Sequence, residues 1–533
     1  MKVIALILID PRHGRLGHAA RLDADLAGKT VLQHTIDRAA DVAGIDELVL
    51  AVHDPDHDGG SVDAARLPCV MPTHIKHAVT GWSLQGADEH AQADMIAAAR
   101  KWSLAAWRGG IAGMAAVDEL LPAAPIARLL KERNADAALV VRGDWCCFDP
   151  QLTAEQVKVY RSAPESLKLV FTQAPPGLSG LVADRSVFDD LAEHRTTVAR
   201  LLCYNPDKPA LDPISRDVCV AVPASVRDRH RRFIFDTPRA ISHLREIADR
   251  LGHRFEGAGA AALSDASLAL DTENPHRQLD LLPQQFTIEL TPKRQATGPI
   301  IPQHHLAPGA IQRGAMDTAL AIDIVQQLGE QGDAAILLGG LGDALLHDDW
   351  LRITEVARDA GVMGIGIETD LLCDADTTAQ LRAAPVDAVS VRINADTAAV
   401  YEQLMGLEGY KTVLDNLQSL YQPGGRFDRN PRSETGVQQS TKRERVTPSG
   451  GDAAWVVPRL VKVADNLKDM ETFFERWTRL AGWPVIDRFE TGNGLIPDLG
   501  PVPMRPPRGP GHTPPAHRHK RRLTILSDGS TAL

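Results

Sequence analysis

The chain predicts an α/β protein built in two parts. Up to residue 141, a continuous apolar run at Val3–Ile9 and largely apolar runs at Glu47–Val52 and Ala137–Val141 have the length of buried strands, and helical stretches separate them. From Phe286 onward, strand-like runs and amphipathic stretches alternate again. Between the two parts, 256–267 is a stretch of small and polar residues where composition shifts.

Taken in order, Val3–Ile9 is the first buried strand. A loop rich in Gly, Arg and His runs from Asp10 to Arg21, and Gly28-Lys29 leads into a helix opening at Val31. In the second part, Phe286–Leu290 ends at Thr291-Pro292. Met316, Leu320, Ile324 and Leu328 recur every fourth residue, with Val325 beside them, as one helical face. A further strand follows at Ala335–Leu338 and a last one at Trp483–Phe489, with structure resuming over Ala454–Val463 and helices at Trp350–Asp359 and Glu471–Leu480. The polar stretch 421–452 has almost no aliphatic residues and reads as a disordered insertion. The segment 501–515 is rich in Pro and Gly, and a last strand and turn opens at Leu523.

The 533 residues are 44% hydrophobic and 24% charged, ordinary globular values, and the net charge of −11 offers no basic field for nucleic acid. The apolar N-terminal run is too short to span a membrane and lacks a small-residue cleavage site, so it reads as a strand. Six cysteines without metal-type spacing fit a reducing, cytoplasmic setting.

The pieces LILIDPRHGRLGHAARLDADLAGKTVLQHTIDR, DELVLAVHD, ALVVRGDWCCFDP and RRFIFDTPRAISHLREI resemble the cytidylyltransferase-type nucleotidyltransferases of GT-A/Rossmann-like fold. The resemblance covers residues 1–255. It implies nucleotide phosphates gripped by Arg12, Arg21 and Lys29, and Mg²⁺ held by Asp144 and Asp236. Asp144 stands in the family's G-D-x-P segment, without its proline. Mg²⁺ suits such a site because it takes one or two carboxylates and leaves room for substrate phosphates. Each of these residues also has a plain structural use, with Asp144 or Asp236 as caps and the arginines as solvated charges.

The stretch QFTIELTPKRQATGPIIPQ resembles the first strand and loop of a radical S-adenosylmethionine (radical SAM) enzyme. GGLGDALLHDD, GIGIETD, DAVSVRINAD and YEQLMG then follow in the family's order. This resemblance implies a (β/α) partial TIM barrel over 284–500, a linker at 256–283, and a truncated accessory (SPASM-type) tail at 501–533. In the family three cysteines in the first loop hold a 4Fe–4S cluster. Here those positions are Arg294, Gly298 and Ile301, which cannot replace thiolates. A 4Fe–4S cluster is therefore not expected, and S-adenosylmethionine binding stays open. Asp343, Glu368 and Ser390 fall at strand ends where a barrel of this type lines its pocket.

Together these resemblances lead to the expectation of a protein that binds or transfers a nucleotide or nucleotide-sugar in metabolism of the surface-polysaccharide type, with a barrel that has lost its cluster. The alternative is a scaffold or binding protein made of two degenerate enzyme folds. A radical enzyme with unconventional cluster ligands is the least favoured reading. No protein partner is indicated.

Overall fold

In the computed structural model the described residues are 1–11, 14, 18–52, 60–62, 79–83, 121–193, 219–227, 229, 231–273, 283–421, 455–480, 484–489, 491, 496–500 and 522–532. The segments 422–452 and 501–521, and with them most of the insertion and the Pro- and Gly-rich segment, lie outside these residues. The chain divides into two compact units, with the change at Leu281/Leu282.

The first unit is organised around β1 (Val3–Ile9). Alternate residues of this strand serve opposite faces: Ile4, Leu6 and Leu8 join one apolar cluster, while Val3, Ala5, Ile7 and Ile9 join another. A strand covered on both sides must be apolar throughout, as this one is. A short hairpin, β2 (Asp25–Leu26) and β3 (Lys29–Thr30), precedes α1 (Val31–Ala40), whose first turn is capped by the Thr30 side chain accepting from Gln33 N. The order continues with β4 (Glu47–Val52), β5 (Gly60–Val62), β6 (Val79–Ser83), α2 (Ala123–Glu132), β7 (Ala137–Arg142), α3 (Pro150–Ser162), β8 (Leu169–Thr172), β9 (Leu181–Asp184), α4 (Arg185–Glu193), β10 (Cys219–Val220), α5 (Ala224–Arg227), α6 (Pro238–Leu251) and α7 (Ala260–Glu273).

The sheet order is β10-β8-β9-β7-β1-β4-β6-β5, with β7, β1, β4 and β6 parallel. From β1 the chain winds first to the β4 side and later returns to the β7 side. The crevice beyond the C-terminal ends of β1 and β7 is thus the switch point at which open α/β sheets bind ligands. Residues 256–283, read as a linker, contain α7, whose Ala260, Leu263 and Ala266 pack with Leu244 and Ile247 of α6.

The second unit is a single sheet of order β16-β15-β14-β13-β12-β11-β17-β18. Its elements are β11 (Gln285–Ile288), α8 (Thr318–Glu330), β12 (Ala335–Leu338), α9 (Trp350–Asp359), β13 (Gly364–Thr369), α10 (Ala375–Ala383), β14 (Ala388–Arg392), α11 (Ala398–Met405), α12 (Tyr410–Leu420), β15 (Trp455–Lys462), α13 (Met470–Leu480), β16 (Val485–Arg488), β17 (Arg522–Ile525) and β18 (Thr531–Ala532). All pairs from β16 through β17 are parallel, and β18 is antiparallel to β17. This is an α/β sheet with parallel strands, and among the described residues it does not close into a barrel. The segment read as a truncated tail supplies β17, which pairs with the first strand, β11.

Candidate functional site

In the first unit, β7 ends at Arg142 and the chain turns through Gly143 into Asp144. That turn is fixed from three sides: Gly143 N donates to Leu8 O at 2.9 Å, the Thr35 hydroxyl donates to Gly143 O at 2.9 Å, and Phe235 N donates to Asp144 O at 3.0 Å. The last bond draws the 233–236 segment alongside Asp144. Asp236, next in line, is therefore buried in the same place; both aspartates are less than a tenth exposed. Gly14, in the loop after β1, lies near both. A Cβ built on Gly14 would lie 3.6 Å from Asp144 Oδ2 and 3.6 Å from the Asp236 Cβ.

Asp236 does not cap α6. Thr237 does, accepting from Ala240 N at 3.2 Å, with Pro238 in the first helical position. Instead the Asp236 carboxylate is held in a fork by Arg232, whose Nε donates at 3.0 and 2.8 Å and whose Nη2 closes the second arm. Arg142 Nε lies 3.6 Å from Asp144 Oδ1. Sequence reasoning missed both arginines. The signals were the arginine just before Gly143-Asp144 and the one four residues before Asp236.

Of the three cations expected on phosphate, two are among the described residues. Arg12 lies outside the described residues. Arg21 is exposed. Lys29 is committed elsewhere, bonding Asp37 at 2.8 Å and also Glu256, and the bond to Asp37 raises its pKa. Lys29 thus ties the β2–β3 hairpin to α1 and to the segment after α6. Arg38 in the same region donates to three carbonyls, Phe148 O, Phe255 O and Ala258 O.

In the second unit the strand ends carry a buried charge network. Asp343 caps the short turn after β12: its Oδ1 accepts from Leu345 N at 3.0 Å, and its Oδ2 accepts from the Thr369 hydroxyl and Asp370 N, each at 2.8 Å. Glu368 is clasped by Arg392, at 2.9 Å from Nε and 2.5 Å from Nη2, and by Arg459. Burial pushes the Glu368 carboxyl up, but Arg392 and Arg459 outweigh that and hold it at about 2. Ser390 sits half-buried on β14, opposite Glu368 in the strand register.

The three positions of the expected cluster loop are each filled. The Arg294 side chain is 2% exposed, and its Nε lies 2.8 Å from Oδ2 of Asp370, which is 1% exposed. Gly298 meets the end of α11: Thr297 N and Gly298 N donate to Met405 O at 2.9 and 2.8 Å, and Ile300 N donates to Leu404 O at 3.3 Å. A Cβ on Gly298 would lie 2.2 Å from Leu404 O and 2.5 Å from Gly406 N, so only glycine lets the two backbones approach this closely. Ile301 is part of the apolar core. Arginine, glycine and isoleucine give iron no thiolate donor, so these residues do not fit a 4Fe–4S cluster. Among the described residues there is no group of three or more His, Cys, Asp or Glu arranged for a metal. No described helix is long and apolar enough to cross a membrane.

No protein-family model matches the chain, and no curated protein matches it. Solved structures of two kinds are similar. A cytidylyltransferase from Leptospira borgpetersenii is 13% identical, over 52% of this chain and 95% of its own, with a TM-score of 0.34. A CMP:2-keto-3-deoxy-manno-octonic acid synthetase complexed with CTP is 12% identical, over 47% of this chain and 99% of its own, with a TM-score of 0.27. SuiB from Streptococcus suis, bound to S-adenosylmethionine, is 12% identical over 51% of this chain, with a TM-score of 0.34. The match spans 64% of the length of SuiB. At these scores no chemistry passes from those proteins to this chain.

Proposed function

We propose that the first unit binds a nucleotide or nucleotide-sugar together with a divalent cation at the crevice beyond β1 and β7. One observation carries this reading: Asp144 and Asp236, from distant parts of the chain, are both buried and each has an atom 3.6 Å from where a Cβ on Gly14 would lie. Two carboxylates at a switch point suit Mg²⁺, which would draw its other ligands from phosphate and water. Bound there, Mg²⁺ would supply charge to offset the phosphates and fix their position. Arg232 and Arg142 now balance the two carboxylates. Once a cation took over that balance, both guanidiniums would be placed to donate to phosphate oxygens. Transfer of the nucleotide to a sugar or other acceptor, as in surface-polysaccharide metabolism, is the reaction this arrangement would serve.

In the same reading the second unit performs no radical chemistry, because its loop offers iron no sulfur. A second reading, a binding or scaffold protein without catalysis, is favoured by one specific feature. Asp343 and Glu368 already spend their oxygens on internal partners.

The two readings part in a calorimetric titration of the full chain with CTP and other nucleoside triphosphates, with and without Mg²⁺. The nucleotide reading expects Mg²⁺-dependent binding that Asp144→Ala and Asp236→Asn each weaken at least tenfold. Binding indifferent to both variants, or absent with every triphosphate, leaves the scaffold reading.

A further inference from the structure

The Arg294–Asp370 pair is poorly bonded for its depth. Besides the close Nε–Oδ2 approach, neither Nη1 nor Nη2 of Arg294 has a hydrogen-bond partner, and Asp370 Oδ1 has none. The buried hydroxyl of Tyr401, on α11, also has no partner. Burying a guanidinium normally requires its N–H groups to be paired, and unpaired buried groups call for a cause, a water or ion that would pair them among the candidates. These groups gather at the C-terminal ends of parallel strands, where α/β sheets take ligands.

We propose that Arg294 is the centre of a small-oxyanion site in the second unit, and that Asp370 occupies it as an internal stand-in for the anion. The free Nη1–Nη2 side of Arg294 is a fork matched to two oxygens of a sulfate, phosphate or carboxylate group, and the Tyr401 hydroxyl is a further donor. A bound oxyanion replaces the Asp370 carboxylate as counter-ion to Arg294, and Asp370 takes up a proton as it yields.

The surroundings of Asp370 favour that exchange. It is faced by Arg294 from the loop after β11, Asp343 from the turn after β12, Glu368 from its own strand, Arg392 from β14 and Tyr401 from α11. Burial, with Asp343 and Glu368 adding to it and Arg294 and Arg392 opposing it, pushes the Asp370 carboxyl up to about 6. Anion binding is therefore linked to proton uptake, and it tightens as pH falls. The inference stands independently of the nucleotide reading, since it concerns the other unit.

Sulfate is the probe, because its charge does not change in the range used. The full chain is titrated with sodium sulfate by calorimetry at pH 6.5, 7.2 and 8.0, in two buffers of different ionisation enthalpy. Affinity is expected to fall by up to about tenfold for each pH unit by which the pH rises, with a proton taken up on binding. Asp370→Asn binds sulfate with little pH dependence, at least as tightly as the parent does at pH 6.5. Arg294→Lys, which keeps the charge and loses the fork, binds at least tenfold more weakly. Should Asp370→Asn fail to fold, the parent's pH series and proton uptake decide alone. No binding at any pH, pH-independent binding by the parent, or equal binding by Arg294→Lys overturns the proposal.

Discussion

Arg294 and Asp370 stand 2.8 Å apart at the ends of two different strand–loop segments, and each is the other's counter-ion where neither reaches solvent. Arg294 is the first of the three cluster-slot positions in the loop after β11, and Asp370 directly follows β13. Removing one partner leaves a buried charge uncompensated, which costs about 3–5 kcal/mol. Arg294→Gln is therefore expected to lower the stability of the second unit by that order. The double change Arg294→Gln with Asp370→Asn should recover a large part of it. Urea unfolding of the four species gives the coupling energy. Additive losses would show that the two side chains do not depend on one another.

Gly298 tests whether the loop can be returned to a cysteine-bearing form. Any side chain there drives a Cβ into the backbone of Leu404–Gly406, at the C-terminal end of α11, and overpacking against backbone costs about 1–3 kcal/mol or more. Gly298→Ala should lower the melting temperature. The triple change Arg294→Cys, Gly298→Cys, Ile301→Cys should be destabilised and should bind no stoichiometric iron on anaerobic reconstitution. Stoichiometric iron with a cluster absorption band would mean that the α11 end yields easily.

Much of the architecture was legible because period and length alone separate buried strands from amphipathic helices. Val3–Ile9 and Trp350–Asp359 are found where the pattern puts them. Other features depend on contacts between distant residues. On α8 the buried residues are Ala321, Val325, Leu328 and Gly329, while Leu320 is 36% exposed and Ile324 only partly buried, so the face is rotated from the one that Leu320 suggests. The small Ala321 gave no hydrophobic signal. At the candidate sites the aspartates stand in short motifs that the sequence displays. Arg232, four residues before Asp236, left only a faint local signal, and nothing in the local sequence says that Arg459 reaches Glu368.

Glu368 and Asp370 are two residues apart and should titrate in opposite senses. Glu368 is held at about 2, below its ordinary value of 4.5, so it contributes stability above pH 4.5 that is lost as pH falls toward 2. Asp370 is raised to about 6 from 3.8, so its contribution is fully present below pH 3.8 and is lost as pH rises through 6. Unfolding midpoints measured from pH 7 to 3.5 should show this. Relative to the parent, Glu368→Gln removes an acid-side loss below pH 4.5, and Asp370→Asn removes an acid-side gain between pH 6 and 4. The same slope change in both variants would contradict the opposed environments.

Arg232 offers the sharpest test of the first unit, because it makes two incompatible uses of Asp236 visible. If Asp236 serves a cation, Arg232 is its competitor in the unliganded protein, holding both oxygens in a fork. Arg232→Gln then leaves Asp144 and Asp236 as two adjacent buried carboxylates, which repel one another until a cation arrives. The variant should be less stable than the parent without divalent ions, and millimolar Mg²⁺ should raise its melting temperature by several degrees more than the parent's. Its affinity for a nucleoside triphosphate should nonetheless fall, because a phosphate donor has been removed. If the Arg232–Asp236 pair is only a structural brace, Arg232→Gln is destabilised equally with and without Mg²⁺. Thermal melts of parent and variant across a magnesium series distinguish the two, and Asp144→Asn in the same background should abolish the extra Mg²⁺ response.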